Sequence, residues 1–401
     1  MDGGTDALRR CVGDVSNFVD RHWGRIPFHR AAADESGFGD LLSIEDVDTL
    51  ITSRALRIPQ FRLLQDGGQI DVARYTKRPD PISKKQNSDQ AHPGHILELF
   101  DAGATIVLQT LQDYWPPLTR FCRNLEFALT HPVQANAYIT PRSAQGLAVH
   151  TDDHDVFVLQ TFGRKNWKVY GPGAAGAAGK ADQGGDPGEL LIDVELKPGD
   201  MLYIPRGFAH SARTADVPSA HITIGIRAYQ WRIVFEKALT EILDTLREPL
   251  PVGFADDPAE LAAQAVQQLG HLKRRLDSID LDSLSVAVTR HFWARRSPVL
   301  TGQLQQLIDL DDISDGSTLR RRPQSVCNLR LEEDRLLALL GDRELTMPAR
   351  LEPALRRVLD GKPFRVSDLA EHLDGPGRLV FAQRLVREGL LENASEVSAA
   401  K

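Results

Sequence analysis

The sequence predicts an α+β chain in which a barrel or sandwich of short strands lies between helical flanks. From 133 to 228, β-like runs follow one another with Gly- and Pro-rich turns and no helix between them, a pattern of strands that must close on each other. From Trp231 onward apolar residues recur at three- and four-residue spacing, as in IVFEKALTEILDTLREPL and DPAELAAQAVQQLGHLKRRLDSI, which is the helical period. The 401 residues, with 42% hydrophobic and 26% charged side chains, are ordinary globular composition. At about 100–200 residues per domain, two to four domains are expected.

Taken in order, residues 1–55 read as short helices and loops. IPQFRLLQDGGQIDVARYTK, residues 58–77, has β-type residues around a Gly-Gly turn and suits a hairpin. PGHILELFDAG reads as a helix stopped at Gly103, and WPPLTRFCRNLEFALT as a helix with prolines in its first turn, where the missing N–H is not needed. The strand candidates that follow are VQANAYIT, LAVHTD, DVFVLQTF, NWKVYG, ELLIDVEL, DMLYIPRG, AHSART and HITIGIRA. Between them, GPGAAGAAGKADQGGDPG at 171–188 contains a Gly-Lys pair. A phosphate loop would need Gly at Ala174 and Ser or Thr at Ala181, so this insertion reads as a flexible loop. The end of the chain reads helix, short helix, helix.

Several function classes are disfavoured by composition. No run of about 18 apolar residues exists, so no transmembrane helix is expected. The N-terminal segment has no apolar signal-peptide core. Cys11, Cys122 and Cys327 are odd in number and far apart, which gives neither a disulfide framework nor a metal spacing; a cytoplasmic location is expected. A net charge of −7 argues against a protein whose main task is gripping nucleic acid.

The chemistry-bearing pattern is His150-x-Asp152 with a distant His210. A redox iron with open positions is commonly held by two histidines and one carboxylate on one face. Two residues apart on a strand, His150 and Asp152 project to the same side, and His210, just after DMLYIPRGFA, is placed to join them from another strand. HxD alone is a weak pattern among twelve histidines. His154 shares the face of His150 and Asp152 and reads as a competing ligand, or as a residue that supports the ligands or faces the substrate, whereas Asp153 and Asp155 point away. His221, inside HITIGI, reads as a core histidine.

The stretch ANAYITPRSAQGLAVHTDDHDVFVLQTFGRKNWKVYG, with LKPGDMLYIPRGFAHSA after it, resembles the JmjC/cupin-type 2-oxoglutarate oxygenases, and most of all the ribosomal oxygenase branch, which hydroxylates ribosomal proteins. The resemblance is strongest over about 130–230 and looser at the N-terminal WGRIP segment and in the C-terminal half. It implies a double-stranded β-helix (jelly-roll) catalytic domain over 1–230, a helical dimerisation domain over 231–345 and a winged-helix-like domain over 346–401. It further implies Fe(II) held by His150, Asp152 and His210, with 2-oxoglutarate and O2 as cosubstrates. Lys165 matches the basic position that pairs with the distal carboxylate of 2-oxoglutarate, since a buried carboxylate needs a cation. Arg164 is the alternative if the register shifts by one, and a solvated turn lysine is the bland alternative. Asn136 and Tyr138 resemble polar residues on the cosubstrate and substrate sides. Gly225 aligns where the branch often has a Ser, which removes one cosubstrate hydrogen bond, and Thr223 is placed to supply another.

The resemblance implies hydroxylation of a protein or peptide side chain, a His or Arg of a ribosomal protein foremost. An oxygenase tailoring a ribosomally made natural-product peptide and a metal-binding cupin without enzymatic activity are the other classes. The chain is expected to be a homodimer. Residues 351–401 carry eight Lys/Arg and eight Asp/Glu, so phosphate binding by the winged-helix-like end is not expected. Arg320 to Arg322 read as a solvated basic loop.

Overall fold

A computed structural model of the chain describes residues 2–32, 37–77, 89–144, 148–171 and 188–394. It divides into two compact units, 1–228 and 229–401. Nearly all of the Gly/Ala-rich insertion at 171–188 lies outside the described residues.

The first unit begins with α1 (Asp2–Val12) and α2 (Val15–Arg21), followed by β1 (Phe28–Arg30) and α3 (Ile44–Ser53). A reciprocal Ser43–Asp46 capping box starts α3. Next come β2 (Phe61–Gln65), β3 (Gly68–Gln69), α4 (Pro93–Asp101), β4 (Thr105–Leu108) and α5 (Pro116–Leu129). The hairpin between β2 and β3 turns on Asp66 and Gly67, both with positive φ, and not on the two glycines. That is the Asp-Gly chemistry of a two-residue turn whose twist matches its strands. The strand-rich part is β5 (Val133–Thr140), β6 (Asp155–Gly163), β7 (Lys165–Tyr170), β8 (Leu190–Leu196), β9 (Met201–Ile204), β10 (His210–Arg213) and β11 (Ser219–Ile226).

These strands form an eight-stranded sheet in the order β1-β9-β6-β11-β5-β4-β2-β3 and a three-stranded sheet in the order β10-β7-β8. β6 shows how they stack. Val156 and Val158 pack with Val169, Leu196, Leu202 and Ile204, between the sheets. Phe157 and Leu159 point the other way and join the core under the helices, with Phe18, Leu118 and Tyr203. A strand covered on both faces reads as continuous apolar sequence, which is why DVFVLQ does not alternate. The sandwich of two sheets is the jelly-roll arrangement the resemblance implies.

LAVHTD does not form the expected strand. Of this segment only His150 pairs, as a single antiparallel bridge with His210, and residues 151–154 lie outside any strand. The strand-alternation argument for His150 and Asp152 therefore does not apply.

The second unit contains α6 (Trp231–Leu243), α7 (Pro258–Asp277), α8 (Leu281–Trp293) and α9 (Gln303–Ile308). Strands then intervene where helix was expected: β12 (Thr318–Arg321), β13 (Asn328–Glu332), β14 (Arg335–Leu339) and β15 (Glu344–Pro348). They are followed by α10 (Glu352–Leu359), β16 (Phe364–Arg365), α11 (Gly375–Arg387) and β17 (Leu391–Asn393). β12 pairs with β16 and β17, and Leu310, Leu319, Leu336 and Met347 share one core with Leu355, Phe364, Phe381 and Leu385. This core spans the division expected at 345/346, which falls inside β15. The basic run is not a solvated loop: Arg322 is 4% exposed, ion-paired to Glu392 at 3.3 Å and bonded to the carbonyls of Thr301 and Gly389.

Candidate metal centre and cosubstrate cavity

The turn after β9 delivers His210. Pro205 to Phe208 reverse the chain, with Gly207 at φ 82° where a side chain is disfavoured. The Gly207 N–H donates to the Asp152 carbonyl at 3.0 Å. Asp155, 4% exposed, accepts from the Arg206 N–H at 2.7 Å, so it fastens this turn to the start of β6 instead of facing the site. Two backbone bonds close the His150–His210 bridge, at 3.1 and 2.9 Å.

The result is a cluster in which one ligand atom each from His150, Asp152 and His210 lies within 4.8 Å of the others. His150 Nδ1 lies 2.9 Å from the Ala148 carbonyl and His210 Nδ1 lies 3.0 Å from the Phe208 carbonyl. A carbonyl only accepts, so each Nδ1 carries a proton, which leaves each Nε2 as the atom to ligate a metal. His210 Nε2 is 3.5 Å from Asp152 Oδ2. Burial, and then the neighbouring His150, push the His210 imidazole down to about 4, so it stays in the neutral, ligating form at neutral pH. Two imidazoles, oriented through the hydrogen bonds of their Nδ1 atoms, and one carboxylate suit a divalent first-row metal.

His154 does not join the cluster. Its Nδ1 is 2.9 Å from the exposed Asp153 carboxylate, and its ring lies over the bare backbone of β11: a Cβ on Gly225 would sit 2.8 Å from His154 Cδ2 and Nε2. Gly225 therefore makes room for His154. It is paired with Gln134 and Val156, far along β11 from Lys165, so the missing side chain does not remove a hydrogen bond at the Lys165 end.

The cluster opens into a cavity of about 440 Å³. Residues directly opposite on neighbouring strands share a face, and the register lays out the floor. Thr223 is opposite Asn136, His221 opposite Tyr138, and Ser219 opposite Thr140. Tyr138 is opposite Val107, which is opposite Arg62. From the other sheet, β7 turns Lys165, Trp167 and Val169 inward. Trp167 stacks on His210 with centroids 6.2 Å apart. Arg164 faces outward, 60% exposed, 3.6 Å from Glu195.

Lys165 is 4% exposed, and its Nζ donates to Thr140 Oγ1 at 2.9 Å. Burial alone pushes its ammonium down to about 7. No carboxylate hydrogen-bonds Lys165 among the described residues. Asn136 Oδ1 accepts from the Thr110 N–H at 3.0 Å, which leaves its amide NH2 for another partner. Arg62 also lines the cavity, with a buried Nε that has no partner among the described residues. The sequence reading missed Arg62, Thr140 and Trp167, and His221 lines the cavity although it read as core. Only the strand register reveals them. Two cations, Arg62 and Lys165, thus face a chamber whose one acidic residue among the described lining, Asp152, already belongs to the metal-ligating cluster, a composition suited to a metal and an anion together.

Residues 108–234 match the JmjC domain. The bifunctional lysine-specific demethylase and histidyl-hydroxylase NO66 of Drosophila persimilis is 33% identical over 221 residues, which are 54% of this chain and 30% of that protein. Ribosomal oxygenase 1 of Gallus gallus is 30% identical over 318 residues, 72% of this chain and 51% of that protein. The chain thus spans about half or less of the length of these curated relatives. Among solved structures, the Escherichia coli ribosomal oxygenase YcfD in complex with cobalt and succinic acid matches with a TM-score of 0.55 and 19% identity, covering 96% of this chain and 99% of that one. The complex of YcfD with cobalt and 2-oxoglutarate gives 0.52 and 17% at the same coverage. At this identity the two structures attest a shared fold. With the JmjC match over the strands that build the cavity, the two-sheet topology and the His–Asp–His cluster between the sheets, residues 108–234 are a JmjC domain, and the chain around it is similar to the ribosomal oxygenases.

Proposed function

We propose that the chain is an Fe(II)- and 2-oxoglutarate-dependent oxygenase that hydroxylates a protein or peptide side chain, a His or Arg of a ribosomal protein foremost. The observation that carries this is the pairing, in one cavity, of three metal-ligating groups with a buried ammonium that has no carboxylate partner among the described residues. His150, Asp152 and His210 hold the iron. When bound, the iron supplies the redox chemistry that couples conversion of 2-oxoglutarate to succinate and CO2 with hydroxylation of a C–H bond.

The protein's own groups bind, orient and exclude water. Lys165, steadied by Thr140, pairs with the distal carboxylate. Asn136 and Thr223, side by side on β5 and β11, offer an amide and a hydroxyl to the cosubstrate. Tyr138 and His154 lie on the substrate side, with His154 at 17% side-chain exposure. Trp167 closes the wall behind His210.

Residues 1–230 are the catalytic domain in this reading. The helices after it form a dimer interface: Trp231, Phe235, Val266, Leu281 and Val286 are each more than half exposed, an apolar surface that a second copy would cover. The balanced charge of residues 351–401 favours a protein-contact role for the C-terminal core over nucleic-acid binding. No helix among the described residues is long and apolar enough to cross a membrane, and a ribosomal-protein substrate fits a cytoplasmic location.

The test is incubation with Fe(II), 2-oxoglutarate, O2 and purified ribosomal proteins, followed by intact-mass measurement and succinate assay. The expected result is one added oxygen on one protein, absent with Asp152→Ala. Absence of both succinate and mass gain with every ribosomal protein would defeat the ribosomal reading. Turnover on another peptide instead would shift the assignment to peptide tailoring.

A further inference from the structure

His221 occupies the middle of the cavity floor, opposite Tyr138. Its ring stacks on Tyr138 at 5.1 Å with the planes 2° apart, and Trp167 meets it edge-on at 5.3 Å. It is 3% exposed and lines the cavity, yet its Nδ1 has no hydrogen-bond partner among the described residues. Buried polar groups without a partner are uncommon in native structures and call for an explanation. A histidine that served only to fill the core would be expected to find a partner there. This one has two aromatic walls that fix its ring plane and a chamber in front of it.

The charge pattern says what would complete it. Burial, and then the nearby Lys165 ammonium, keep His221 in its neutral form. A neutral imidazole has one N–H to donate. The distal carboxylate of 2-oxoglutarate carries one negative charge, which Lys165 matches, and it has acceptor sites left over for an uncharged donor. We propose that His221 donates a hydrogen bond to the distal carboxylate of the cosubstrate, forming with Lys165 a two-residue clamp on it. This rests on the oxygenase reading above and assigns a binding role to a residue whose sequence context, HITIGI, marks only a core strand.

The test compares 2-oxoglutarate with 2-oxopentanoate, which keeps the keto acid and loses the distal carboxylate. Dissociation constants are measured by calorimetry on Co(II)-loaded protein without oxygen. His221→Phe keeps an aromatic ring and removes the donor. It should weaken 2-oxoglutarate at least about tenfold, the loss of one hydrogen bond to a charged group, and leave 2-oxopentanoate within about twofold. Equal effects on both ligands, or none on either, would overturn the proposal. If the variant does not fold, the wild type decides: the His221 ring 15N resonances in Zn(II)-loaded protein should move with 2-oxoglutarate and not with 2-oxopentanoate, and unmoved resonances overturn the clamp. Wild-type protein that binds no 2-oxoglutarate with any metal would overturn the oxygenase reading itself, a different failure from a silent His221→Phe.

Discussion

Binding of the dicarboxylate should be linked to the protonation of Lys165. Its ammonium is pushed down to about 7 by burial, so in the ligand-free cavity the charged form is present below that pH and is lost as the pH rises through it. Both carboxylates of 2-oxoglutarate are ionised throughout the window from 6 to 8, and burial keeps His221 neutral there. Because the anion requires the cation, affinity is greatest on the acid side of 7 and falls about tenfold per pH unit above it. Between pH 6 and pH 8 the dissociation constant should rise roughly tenfold, about 1.4 kcal/mol. Binding at pH 8 should take up close to one proton, and at pH 7 about half of one, a quantity read by calorimetry in buffers of different ionisation enthalpy. Co(II) or Mn(II) in place of iron, without oxygen, isolates binding from turnover. Lys165→Arg, charged at every pH in the window, should flatten the profile. A dissociation constant that is level from pH 6 to 8 with no proton uptake would refute the role of Lys165 as the carboxylate's cation.

Asp152→Ala removes the only carboxylate of the metal cluster and should cost more metal affinity than the roughly 10–100-fold of an outer-shell change; Fe(II) binding at wild-type strength would contradict the ligand assignment. Gly225→Ala puts a Cβ 2.8 Å from the His154 ring and should destabilise by about 1–3 kcal/mol through overpacking. Combined with His154→Ala most of that cost should vanish, leaving only the tight 3.2 Å contact with Gln134 Cγ, and additive losses in thermal unfolding would argue against the His154 contact. Arg322→Ala leaves Glu392 with Arg320 as its cation but strips the buried donors to the Gly389 and Thr301 carbonyls and to Gln303, and should cost about 1–3 kcal/mol in denaturant unfolding. Arg164→Ala, at an exposed pair, should cost under about 1 kcal/mol, and a similar loss for the two would contradict the assigned burial. Sedimentation of the full chain should give a dimer, and Phe235→Asp on the exposed face of α6 should shift it to monomer; an unchanged wild-type monomer would remove the interface.

Local chemistry in the sequence was enough for much of this protein. The prolines at 116 and 117 and the glycine at 103 bounded helices where the structure has them, because a missing N–H and a positive φ act within one turn. Apolar runs marked β5, β6, β9 and β11, and the motif residues pointed to His150, Asp152, His210 and Lys165. Tertiary structure decided the rest, because it depends on pairings between distant segments. HTD is not on a strand, and what aims His150 and Asp152 is a bridge to residue 210 and a backbone bond from Gly207. A one-residue choice of register separated buried Lys165 from outward Arg164. Residues 318–348 carry short alternating runs that a helical flank obscured, and only pairing of β12 with β16 and β17 defines their core. His221 read as core from its apolar neighbours along the strand, while its neighbours across the sheet make it part of the cavity floor. Sequence neighbours set the residue types and the local turns; which of them face one another is set by sheet register, which no single segment contains.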